Sequence, residues 1–153
     1  MAGSFLDTSA LVKRYHVEEG TAKVDQQFDD PQCELILSRL GFVEMFSALA
    51  TKVRTGQITL DAHDAARKRF LGDVKSRRLT VVRLLVGHYR DAERLVDSHA
   101  KSRRCRTLDA LQLSVAMNLH RQGRIDTFLC ADSALCELAD LEQVPTINPL
   151  VAG

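Results

Sequence analysis

The 153-residue chain has no tryptophan, two tyrosines and six phenylalanines. Stacking bases on aromatic platforms, the common grip on single strands, therefore has few candidates here. No two of its four cysteines (Cys33, Cys105, Cys130 and Cys136) are spaced Cys-x-x-Cys, and the five histidines do not cluster with them. Neither a zinc site nor a disulfide framework is expected, and the thiols are read as free in a reducing cytoplasm. No apolar run reaches membrane-spanning length. Asp7, Lys13 and Arg14 interrupt the only N-terminal stretch that could act as a secretion signal. An excess of charge is missing as well: 21 Lys and Arg against 20 Asp and Glu leave +1. The overall field will not draw in a polyanion, so contact with nucleic acid must come from local basic patches. Linkers and low-complexity tracts are absent, and a single domain over 1–153 is expected.

Apolar residues make up 45% and charged residues 27%, an ordinary globular balance. The stretch Phe5-Leu6-Asp7-Thr8-Ser9-Ala10-Leu11 sets the pattern: a short apolar run ends in a carboxylate and two hydroxyls, and an amphipathic segment begins. It reads as a strand ending at Asp7 and a helix over Ser9–Tyr15. Another helix follows over Thr21–Phe28. Further strands are expected at Glu34–Ser38, Thr80–Leu85, Thr127–Ala131 and, at the sheet edge because of Pro145, Val144–Ile147. Further helices are expected over Arg39–Arg54 with Gly56 as its stop, from Thr59 or Asp61 to about Arg78, over Gly87–Ser102, from Thr107 to the stop at Gly123, and over Ser133–Leu138. Alternation of this kind predicts an α/β fold with a parallel sheet of about five strands and helices on both faces.

Four acidic residues stand out by position. Asp7 and Asp132 each follow an apolar strand, where open α/β sheets place their ligands. Glu44 interrupts the apolar helical run Leu40–Leu49, and Asp109 lies in the first turn of the helix opening at Thr107. Each also has a plain structural explanation. Asp7 and Asp132 are good helix N-caps, Asp109 suits the positive end of its helix, and Glu44 could face water. The explanation is weakest for Glu44, whose neighbours leave almost no polar side. Asp109 is harder to place, because the start of a helix leading into a strand is expected at the sheet edge opposite Asp7.

These segments resemble the PIN-domain nucleases, and most of all the toxin ribonucleases of the VapC type. Phe5 to Tyr15 resembles the family's opening motif, and Ser38-Arg39 leading to Glu44 resembles its second. Arg106 to Ala116 resembles the third around Asp109, and Phe128 to Leu135 resembles the fourth around Asp132. Two positions depart from the pattern: Ser133, where a basic residue is common, and Gln112, where a histidine is common. The resemblance implies a PIN-like three-layer sandwich, RNA as substrate, a cognate antitoxin and a homodimer.

The donor types agree with that implication. Carboxylates crowded together raise one another's pKa unless a cation neutralises them. Hard oxygen donors select Mg2+ or Mn2+. Asp7 and Asp109 are expected as direct metal ligands, Glu44 as a ligand or orienter, and Asp132 as the completing group. Thr8, Ser9, Lys13, Arg14, Arg104 and Arg106 flank the motifs, as does Arg103, and are expected to contact substrate. Two other readings compete. An aspartyl phosphotransfer domain would want a second Asp two positions after Asp7, where Ser9 stands. A PIN-like protein could also act by binding alone, which the intact acidic set argues against.

Overall fold

The computed structural model describes residues 3–152. Among these residues the sheet has five strands, Gly3–Leu6 (β1), Glu34–Ser38 (β2), Leu79–Val82 (β3), Thr127–Leu129 (β4) and Thr146–Ile147 (β5). All pairings are parallel, in the order β3-β2-β1-β4-β5. Seven helices are found among the described residues: Thr8–Tyr15 (α1), Thr21–Asp29 (α2), Arg39–Arg54 (α3), Leu60–Lys75 (α4), Val86–His99 (α5), Thr107–Arg121 (α6) and Ser133–Leu141 (α7).

The strands are short, and their side chains alternate between two cores. Phe5, Ile36 and Phe128 face one layer, where they meet Leu95, Leu113, Ala116 and Leu135 from α5, α6 and α7. Leu6, Leu35, Leu37 and Leu129 face the other, with Leu11, Val24, Met45 and Phe70 from α1 to α4. This period of two splits the apolar residues between both faces, so each face needs its own helical cover. Each large apolar side chain among them contributes about 1.5–3 kcal/mol relative to exposure. The expected α/β sandwich is what forms.

Capping fixes where the helices begin. The Asp7 carboxylate accepts from Ser9 N at the start of α1, and the Ser38 hydroxyl accepts from Gly41 N at the start of α3. Thr59 accepts from Ala62 N for α4, and Asp132 accepts from Ala134 N and Leu135 N for α7. Each fills a backbone donor that the first turn leaves without a partner.

Some element ends differ from expectation, for local reasons. β3 stops at Val82 because Leu85 N donates to His88 Nδ1 at 2.9 Å and begins α5. β4 stops at Leu129 because Ala131 N donates to the Ser9 hydroxyl at 3.0 Å and leaves the ladder. α4 ends at Lys75, just before Arg77 takes a positive φ of 63°. α7 runs on to Leu141 because Leu138 and Ala139 are buried against the sheet. β5 shrinks to two residues but keeps the edge position expected from Pro145.

The expectation for Asp109 is corrected by the direction of α6. A helix that feeds a parallel strand runs antiparallel to it, so its first turn lies at the carboxyl edge of the sheet, not the opposite one. α6 leads into β4 in this way and carries Asp109 to the edge where β1 and β4 end.

Candidate active site at the carboxyl edge of the sheet

Asp7 is the last residue tied to the sheet, donating its N–H to Leu129 O at 2.9 Å. Its own carbonyl accepts the first bonds of α1, from Ala10 N and Leu11 N. Its Oδ2 accepts from Ser9 N at 3.1 Å and from the Ser9 hydroxyl at 2.5 Å, and its Oδ1 accepts from Gln112 Nε2 at 3.4 Å. The cap is real and does not exhaust the carboxylate. Burial to 7% exposure raises its pKa, the two Ser9 bonds work against that, and the Asp132 charge adds to it.

Glu44 projects from α3 toward the same point. Its Oε1 accepts from the Thr8 hydroxyl and from Gln112 Nε2, both at 3.4 Å. Burial, and then the charges of Asp7 and Asp109, push its pKa up to about 7, with the Thr8 bond as a partial offset. Asp109 is pushed up to about 6 by burial and by Asp132 and Asp7, while Arg106 pulls it down. The four expected carboxylates therefore form one electrostatic group. Asp132 joins it while Oδ1 caps α7.

Among the described residues, none of these four takes part in an ion pair. Nor are any three His, Cys, Asp or Glu side chains there already drawn together as ligands of a metal ion. The donor set is hard oxygen without a countercharge, which suits Mg2+ or Mn2+. A cleft of about 640 Å3 lies elsewhere, lined by Lys23, Ser133, Cys136, Asp140, Thr146 and Val151 among others, and contains none of the four. The acidic group, and not that cleft, is the candidate site.

The basic residues divide. Lys13 is buried and pairs with Glu18 at 3.0 Å, and Arg14 pairs with Asp25 at 2.8 Å and stacks over Phe28. Both hold the fold together and do not reach the carboxylates. Arg103 pairs with Glu137. Arg104 and Arg106 are exposed, and Arg106 acts on Asp109. Thr8 and Ser9 spend their hydroxyls on Glu44 and Asp7, so they position the acids.

With this geometry, comparison with known proteins is decisive. A model of the PIN domain matches residues 4–141. The chain belongs to the PIN-domain family. Solved structures agree with this at the level of fold. This PIN domain is similar to VapC20 of Mycobacterium tuberculosis, described as a sarcin-ricin loop cleaving toxin, at 16% identity and a TM-score of 0.63, covering 88% of this chain and 93% of that one. It is similar to FitAcB from Neisseria gonorrhoeae at 15% identity and a TM-score of 0.64, covering 97% and 99%. The VapBC-1 structure from nontypeable Haemophilus influenzae gives 12% identity and a TM-score of 0.65, again covering 97% and 99%. No curated protein sequence matches the chain.

The sequence reading missed two residues of this PIN domain's site. Gln112 touches both Asp7 and Glu44, and Ser38 holds Gln112 through a 2.5 Å bond. A signal existed for the first: Gln112 is polar within Ala110-Leu111-Gln112-Leu113, where α6 is apolar all round. Ser38 opens the second motif, Ser38-Arg39 leading to Glu44, but nothing in the sequence tied it to Gln112.

Proposed function

We propose that this PIN domain is a metal-dependent endoribonuclease, the toxin of a toxin–antitoxin pair. The observation that carries the reading is the set Asp7, Glu44, Asp109 and Asp132 at one sheet edge, with the first three raised in pKa and none of the four in an ion pair among the described residues. A fold that tolerates such a group without a countercharge is organised to receive one. Asp7 and Asp109 would hold Mg2+ or Mn2+ directly, Glu44 would hold or orient its water, and Asp132 would complete the shell with the oxygen its cap leaves over. A divalent cation bound there lowers the pKa of a water ligand and offsets charge on a phosphate. Thr8 and Ser9 fix the carboxylates, and Asp7 keeps its position because it is anchored in the ladder. Arg106 and Arg104, at the open end of α6, would take phosphates beside the scissile bond.

An antitoxin and a second copy are the proposed partners. Structures of similar fold are described as VapBC complexes and as a member of a toxin–antitoxin family. The surface offers room for both: Val43, Tyr89 and Leu108 are each about half exposed, beside a groove of about 360 Å3 that Val43 and Tyr89 line with Leu40, Leu84 and Leu111. No helix among the described residues is long and apolar enough to cross a membrane. The proposed site of action is the cytoplasm, where free thiols persist and RNA is at hand.

The test is purified protein incubated with total RNA, in Mn2+ and in chelator, with cut sites mapped. Cleavage in Mn2+ that disappears in chelator and in Asp109→Asn is the expected result. Cleavage of equal rate in chelator sinks the metal reading, and binding of RNA without cleavage favours a protein that acts by binding alone.

A further inference from the structure

Gln112 is 1% exposed, set in α6 among the apolar Ala110, Leu111, Leu113 and Val115. A buried amide is costly unless its atoms are bonded, and here every atom of it is. The orientation is fixed by a relay. The Ser38 oxygen accepts from Gly41 N at 2.9 Å, so its own hydrogen is free to donate, and Gln112 Oε1 accepts it at 2.5 Å. That leaves the Nε2 end facing the acids. Its two hydrogens serve two carboxylates, Asp7 Oδ1 and Glu44 Oε1, each at 3.4 Å. Both bonds are long for donors to charged acceptors, as befits one nitrogen stretched between two.

The neutrality of the amide matters. A lysine or arginine at this place would form an ion pair and cancel the charge a metal must meet. An amide holds two like charges at a set separation and leaves their charge available. The backbone is shaped around it as well. A Cβ at Gly41 would lie 3.1 Å from Gln112 Nε2, 3.5 Å from Ser38 Oγ and 3.7 Å from Thr8 Oγ1. Glycine lets the first turn of α3 press against the amide.

We propose that Gln112 is the positioning residue of the site: its amide nitrogen, braced by Ser38, yokes Asp7 to Glu44 and sets the gap that receives a divalent cation. The inference rests on the metal-nuclease reading and adds to it a residue outside the acidic set. It is tested by titrating Mn2+ into intact wild type, Gln112→Met and Gly41→Ala by calorimetry, with melting temperatures in chelator measured alongside. Gln112→Met keeps the volume and removes both donors, and the expected result is a Kd for Mn2+ raised about 10–100-fold, the usual cost of losing a partner of the ligands. Gly41→Ala keeps every donor and favours the helix, which offsets part of the cost of moving the amide, so it should fold and melt close to wild type in chelator. Its methyl displaces Nε2, and its Kd should rise several-fold. A Gln112→Met protein that melts lower yet binds Mn2+ as tightly as wild type makes Gln112 a packing residue and overturns the proposal. If that variant does not fold, Gly41→Ala decides alone, and an unchanged Kd overturns it. Wild type that binds no Mn2+ removes the metal-nuclease reading and this proposal together, whereas wild type that binds beside unaltered variants removes only the role of Gln112.

Discussion

Two charge clusters in this molecule are built on opposite terms. Around Glu18, a carboxylate meets Lys13 at 3.0 Å and Lys52 at 2.9 Å, and those cations pull its pKa down against the burial that would raise it. Around Asp7, four carboxylates meet one another and a neutral amide, and Glu44 and Asp109 are pushed up. The first cluster is neutralised by the chain itself and serves to tie α1 to α3. The second is left unbalanced where three strands and two crossovers deliver it. The contrast shows that the fold has basic residues to spare near the N-terminus and does not use them to neutralise the site.

The comparison can be broken most sharply at Asp7. Asp7→Asn keeps an acceptor for the cap, so the fold should persist, and RNA cleavage should fall to the background seen in chelator. Cleavage at the wild-type rate would remove Asp7 from the chemistry. Glu18→Gln should do the reverse. It strands Lys13 and Lys52 beside each other and should lower stability by about 2–4 kcal/mol, a reduced share of the usual cost of breaking a buried pair because Glu18 is partly exposed. Metal should not restore it. A denaturant melt with and without Mn2+ tests this, and a loss that Mn2+ repairs would merge the two clusters into one system.

A smaller effect is expected from Glu44→Gln. The ordinary glutamate value is 4.5 and the folded value about 7. The folded state thus holds this proton more tightly than the unfolded chain. Its stabilising contribution is full below about pH 4.5 and is lost as pH rises through about 7. In chelator at pH 8, Glu44→Gln should therefore melt higher than wild type by roughly 2–4 °C, the shift that about 1 kcal/mol gives in a chain of this size. At pH 5 the gap should close. Mn2+ at a hundredfold excess over Kd should stabilise wild type by about 2.7 kcal/mol and reverse the order. Equal melting of both proteins at pH 8 would place Glu44 outside the unbalanced group. The least effect on the fold belongs to Arg104 and Arg106. Changing both to Ala should weaken RNA binding and reduce its salt slope by about 2, one for each phosphate contact. An unchanged slope would move the RNA path away from α6.

The order of strands and helices was legible because period-two alternation and caps are local. α3 runs from Arg39 to Arg54, the span framed in sequence by Ser38 and Gly56. Asp7 and Asp132 were legible because each follows an apolar strand. Reading nearness in sequence as nearness in space failed for Lys13 and Arg14. Six and seven residues past Asp7, more than a turn and a half of helix, turn them to Glu18 in the connection before α2 and to Asp25 within it. Asp109 was misplaced although the parallel alternation already fixes it: a helix leading into a parallel strand runs antiparallel to that strand and starts at the carboxyl edge. Gln112 depended on three elements meeting, so its role emerges only when Ser38, Asp7 and Glu44 are all in place.

The strand order also has a consequence in time. Among the described strands β1 comes first in the chain, yet it lies at the centre, with β2 on one side and β4 on the other. Its partner β4 begins at Thr127, which pairs with Ser4. Until that segment has left the ribosome, one long edge of β1 stays open and Asp132 does not exist in the growing chain. No nascent fragment shorter than this can present the full acidic set. The acidic set is therefore completed in one step, when β4 closes the open edge of β1 and Asp132 takes its place at the start of α7.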